Sequence, residues 1–140
     1  MEHYLCWVDD IQSAIRSLDA HIELLQSDFD VTFIVDEHYD TKDFDIIARN
    51  IEEGLIFLVD YNLKNNKGEG IDGHEVIALI RKHNKTCKIV FYSSLATQAE
   101  LRKLVSKYDN VVCALREDLP RILTEIANGS FAVSLVKFLL

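Results

Sequence analysis

The side chains with most chemistry to offer in this 140-residue sequence are carboxylates that close apolar runs. "YLCWV" ends in Asp9 and Asp10, and "LIFLV" ends in Asp60. Farther along, "KIVFY" runs into Ser93 and Ser94, and "VVCAL" into Arg116. Clustered carboxylates repel one another and raise each other's pKa unless a cation sits among them. An oxygen-only donor set suits Mg²⁺, which keeps several waters and often binds phosphate oxygens as well. Asp60 then has two possible jobs: metal ligand, or nucleophile attacking phosphorus to form an aspartyl phosphate. The hydroxyl of Ser93 and the cation of Arg116 are donor types suited to phosphoryl oxygens. Taken singly, each residue also has a plain local role, with Asp60 opening a turn and the Asp9-Asp10 pair and the serines capping helices.

Only a fold that gathers these residues favours the shared chemistry over the local roles. Short apolar or β-branched runs at residues 4–8, 31–35, 55–59, 89–92 and 111–115 predict five strands. Residues 55–59 are apolar without a break, the pattern of a strand buried on both faces of a parallel sheet. Helical spacing fills the gaps. Ile11, Ile15, Leu18, Ile22 and Leu25 form one stripe, and Phe44, Ile47, Ala48 and Ile51 another, capped by Thr41. Val76, Ile77 and Ile80 face inward from residues 74–83, and Leu101, Leu104 and Val105 from residues 96–107. Leu119, Ile122, Leu123 and Ile126 follow around Pro120, and Asn128-Gly129 ends that helix.

Five βα units predict an α/β fold, a doubly wound flavodoxin-like (βα)5 parallel sheet of strand order 2-1-3-4-5. Ligands bind such sheets at the C-terminal ends of the strands. In that order strands 1 and 3 are neighbours, so Asp9, Asp10 and Asp60 are expected to converge. The apolar tail "SFAVSLVKFLL" lies outside the five units. Residues 1–128 are read as one domain and 129–140 as a C-terminal apolar helix, a dimer contact or the start of a linker.

The formal net charge of −8 argues against nucleic-acid binding through a basic surface. Cys6, Cys87 and Cys113 show no metal-ligand spacing and are expected to be free thiols in a reducing compartment. No apolar run approaches membrane-spanning length, and "MEHYLCWVDD" lacks the basic flank of a signal peptide, so a cytoplasmic chain is expected. Trp7 is expected in the core, and Tyr92 either in the core or at a partner face. His74 is read as a surface histidine at a helix start.

"YLCWVDD", "IFLVDYNL", "GIDGHEVIALIRK" and "KIVFYSS" together resemble the response-regulator receiver domain (CheY-like) of two-component signalling, over residues 4–127. The resemblance implies that Asp60 is the phosphoacceptor and that Asp9 and Asp10 bind Mg²⁺. It also implies a backbone carbonyl ligand from Asn62 and a phosphoryl hydrogen bond from Ser93. The implied partners are a histidine kinase or phosphotransfer protein, and a downstream effector or an output domain outside this sequence. Implied output is a switch at the face of the fourth helix, fifth strand and fifth helix.

Three departures from the family pattern stand out. Arg116 occupies the position of a lysine, Cys113 that of an aromatic on the fifth strand, and the loop holding "KNNKGEG" is longer than in compact receivers. Lys64 or Lys67 could reach a phosphate from that loop; a solvated loop is the alternative. Arg116 and Cys113 also suit a pseudo-receiver, an interaction module that works without phosphorylation. An Mg²⁺-dependent aspartyl phosphohydrolase commonly carries an acid two residues after its nucleophile, where this chain has Asn62. A non-enzymatic chain is therefore expected.

Overall fold

The computed structural model describes residues 1–64 and 67–131. The strands are β1 (Glu2–Val8), β2 (Thr32–His38), β3 (Ile56–Asp60), β4 (Lys88–Ser93) and β5 (Val111–Leu115). Between and after them run α1 (Gln12–Arg16), α2 (Asp19–Phe29), α3 (Phe44–Arg49), α4 (Gly73–His83), α5 (Gln98–Val105) and α6 (Leu119–Asn128). All strand pairs are parallel, in the order β2-β1-β3-β4-β5. This is the doubly wound α/β sheet that the alternation predicts. Every residue of β3 is buried, as its unbroken apolar run requires.

Two apolar layers sandwich the sheet. On one face Leu5, Trp7, Leu58, Val90 and Tyr92 meet Ile15, Leu25, Leu119, Ile122, Leu123 and Ile126. On the other, Val8, Phe57, Val59 and Phe91 meet Phe44, Ala48, Val76, Ile77, Ile80 and Leu101. Helices α1, α2 and α6 thus cover one side, and α3, α4 and α5 the other.

Several local expectations are corrected. The predicted first helix is broken in two at Ser17 and Leu18, where Leu18 N–H bonds back to Ile15 and the Ser17 hydroxyl bonds the Ala14 carbonyl at 2.6 Å. Such local side-chain bonds compete with regular helix. Ile11 is 49% exposed at the start of α1, and Leu104 is 38% exposed on α5. Thr41 does not cap α3. That position is Asp43, in the left-handed region, while the Thr41 hydroxyl accepts Ile71 N–H at 3.1 Å. Thr97 caps α5 by accepting Glu100 N–H.

Cys6 and Cys113 are buried, Cys87 is half-buried, and all three are free. Among the described residues no helix is long and apolar enough to cross a membrane. Residues 132–140 of the expected C-terminal apolar helix lie outside the described residues; Gly129 caps α6, and the Phe131 ring packs on the core below the Lys88 amine.

Arg81, only 5% exposed on α4, is a structural clamp at the sheet edge remote from the acids. Its guanidinium donates to the carbonyls of Asn84, Cys87, Asp109 and Asn110, tying α4 to the starts of β4 and β5. Arg81→Ala orphans several of these carbonyls, and urea unfolding should show a loss of about 3 kcal/mol. Unchanged stability would mean that the clamp is idle.

Candidate functional site

The C-terminal ends of β1 and β3 bring Asp9, Asp10 and Asp60 together, with one oxygen from each within 4.8 Å of the others. Asp9 and Asp60 are almost fully buried, and Asp10 is exposed. Burial pushes the Asp60 carboxyl up to about 7. Asp9 adds to that push, Arg116 opposes it, and Asp10 contributes a smaller upward effect. The Asp10 carboxyl is also raised, first by burial and then by Asp9.

Arg116 follows β5 and reaches across the strand ends. One Nη donates to Asp9 Oδ2 at 2.7 Å, and the other pairs with Asp60 Oδ2 at 3.2 Å. Asp9 is held by its neighbours: Oδ1 accepts Ile11 N–H at 2.9 Å, and Oδ2 also accepts the Tyr92 hydroxyl at 2.7 Å, so the capacity left for a cation is on Oδ1. Asp60 Oδ1 is buried with no hydrogen-bond partner. Three carboxylates and one guanidinium leave a formal charge of −2 when all are ionised. An orphaned oxygen in an all-oxygen donor set of that charge fits a small hard dication held by Asp60 Oδ1, Asp10 and Asp9.

Ser93, fully buried at the end of β4, is one residue past Tyr92, the register partner of Asp60. Its Oγ accepts Leu95 and Ala96 N–H, both at 3.1 Å, which leaves the hydroxyl proton to donate elsewhere. Asn62 is exposed in the loop after β3. That loop closes back on α4, where the Asp72 carboxylate accepts Leu63 and Lys64 N–H and Glu75 accepts Asp72 N–H. Lys64 and Lys67 are exposed; Asn65 and Asn66 of "KNNKGEG" lie outside the described residues. His74 is half-buried and packs its ring against Tyr61 at 5.7 Å. At the end of β2, Asp36 takes His38, and Glu37 takes Arg16 and Tyr39.

The sequence places Trp7 in the core and leaves Tyr92 between the core and a partner face, and their polar contacts were missed. Trp7 is buried as expected, burial decides for the core at Tyr92, and the Trp7 indole donates to the Tyr92 hydroxyl at 2.8 Å, with Tyr92 in turn donating to Asp9. The available signal was a tyrosine in an otherwise apolar strand, since a buried phenol needs a partner.

Comparison with solved structures gives a consistent answer. The receiver domain protein (CheY-like) of Methanospirillum hungatei JF-1 superposes with a TM-score of 0.64 at 15% identity, over 93% of this chain and 97% of that one. The chain has the receiver fold. The Thermotoga maritima response regulator DrrB, an OmpR/PhoB homologue, matches with a TM-score of 0.60 at 14% identity over 90% of this chain. This chain spans only 52% of DrrB's length. A Burkholderia pseudomallei response regulator, solved with a phosphorylated aspartic acid and a calcium ion, matches at 18% identity and a TM-score of 0.59, over 91% of this chain and 69% of that one. No family model and no curated protein matches the sequence.

Proposed function

We propose that this receiver fold serves as a phosphoacceptor domain in two-component signalling, with Asp60 as the residue modified. The observation that carries this reading is the unpartnered Asp60 Oδ1, buried beside two further carboxylates and a guanidinium. The phosphorylated aspartate of the Burkholderia neighbour supports it. Attack by a carboxylate oxygen of Asp60 on a phosphohistidine forms the O–P bond as the donor's P–N bond breaks. Asp60 must be ionised to attack; burial holds its carboxyl up at about 7 in the metal-free site, and a dication among the acids would lower it. Asp9, Asp10, Asp60 and the Asn62 carbonyl would hold Mg²⁺, which when bound neutralises charge on carboxylates and phosphoryl oxygens. Arg116 leaves Asp60 Oδ2 to pair with the phosphoryl group, and the Ser93 hydroxyl donates to it. Output then passes through α5, β5 and α6 to a partner or a further domain, in a cytoplasmic setting and without turnover of a substrate.

One observation favours the pseudo-receiver instead: Arg116 already bridges Asp9 and Asp60, doing part of a cation's work. Incubation with MgCl2 and acetyl phosphate, read by intact mass, separates the two. The phosphoacceptor reading expects one phosphate adduct that disappears in Asp60→Asn and forms faster in Arg116→Lys, where a compact ammonium replaces the bidentate clamp. An unmodified wild-type chain under those conditions would leave the pseudo-receiver.

A further inference from the structure

Tyr92 has no exposed surface, and a phenylalanine would fill the same core volume without a hydroxyl to satisfy. The hydroxyl is instead fully used. Trp7 Nε1 can only donate, so the Tyr92 oxygen accepts from it and its proton must point to Asp9 Oδ2. The same Asp9 oxygen takes Arg116, whose guanidinium carbon also lies 5.2 Å from the centre of the Tyr92 ring. Tyr92 therefore touches both halves of the Asp9–Arg116 pair: the indole donates to the phenol and the phenol to the Asp9 carboxylate, where Arg116, donor to both Asp9 and Asp60, converges from the other side.

We propose that Tyr92 is a positioning residue for the acidic site, holding Asp9 against Arg116, and that through it Trp7 registers the arrival of a divalent cation. The inference rests on the reading of Asp9, Asp10 and Asp60 as a cation site. A dication there competes with Arg116 for the carboxylates, and Asp9 cannot reorient without breaking its bond to Tyr92. The signal travels to the sheet face packed by α1, α2 and α6, because Trp7 and Tyr92 both lie in that layer. Cys113 lies in the opposite layer, so the aromatic that senses the site stands on β4 and faces the other way.

Trp7 is the one tryptophan of the chain, so its emission and its indole N–H resonance are unambiguous. Metal-free protein is titrated with MgCl2, with binding followed by calorimetry and Trp7 by fluorescence. The wild type should show a saturable emission change with the calorimetric midpoint. Tyr92→Phe should bind Mg²⁺ about tenfold more weakly and lose that change even at saturation, as for other residues that orient metal ligands. Wild-type affinity with a wild-type emission change in Tyr92→Phe overturns the proposal. Should that variant not fold, the indole cross-peak of wild-type protein decides: a shift on adding MgCl2 supports the relay, and a fixed peak alongside calorimetric binding refutes it. No calorimetric binding in the wild type overturns the cation-site reading itself, and the proposal with it.

Discussion

Asp60→Asn should make the metal-free protein more stable at pH 8, by about 2–4 kcal/mol. The folded-state carboxyl is raised from 3.8 to about 7, chiefly by burial and then by Asp9. Below pH about 4 the group is protonated both folded and unfolded, and it carries no penalty. Between about 4 and 7 the unfolded chain ionises while the folded one keeps its proton, so stability falls by up to about 1.4 kcal/mol per pH unit and then levels off. Asparagine keeps the shape and a hydrogen-bond acceptor for Arg116 but removes the charge. The gap between variant and wild type should therefore open between pH 4 and 7 and close at acid pH. At pH 8 it corresponds to a rise of roughly 5–15 °C in Tm for a domain of this size. Added Mg²⁺ should narrow the gap by stabilising the wild type alone. A pH-independent gap, or a less stable variant, would show that the buried carboxylate carries no strain.

Gly73→Ala should cost about 3 kcal/mol, at the upper end for overpacking a core. An added Cβ would sit 2.2 Å from the Asp60 carbonyl oxygen and 2.8 Å from Phe91 Cε1. Neither can yield easily: Asp60 is in the central strand, Phe91 is fully buried, and Gly73 N–H is held by the Tyr61 carbonyl at 2.8 Å. Helix propensity alone predicts the opposite sign, because alanine is the better helix former by roughly 1 kcal/mol. Chemical denaturation of the variant therefore distinguishes the two effects by sign, and equal or higher stability would rule out the close approach. Strain at Asp60 should also weaken the Mg²⁺ response, linking helix packing to the site.

How much of this was legible follows from what periodicity can report. The unbroken apolar run before Asp60 marks a strand with two buried faces, and its alternation with helical stripes leaves few ways to wind a parallel sheet. Strand order and the meeting of Asp9, Asp10 and Asp60 were accordingly predictable from single residues and their spacing. Element ends were less so. Thr41 has a capping side chain, but the fold brings Ile71 N–H to it, and Asp43 takes the helix start. Ile11 and Leu104 fit their stripes yet lie beyond the reach of the sheet.

The remaining polar contacts arise from register, which no local pattern encodes. Tyr92 meets Asp9 across 83 positions of sequence and Arg116 meets it across 107, each only because parallel strands align their ends. Arg81 likewise finds Asp109 and Asn110 only once β5 lies beside β4. The amino-acid sequence by itself determined which residues are apolar, where the chain turns, and which acids share an edge. Tertiary structure alone decided how each buried charge is neutralised, because a desolvated group takes whatever donor the packing brings within about 3 Å.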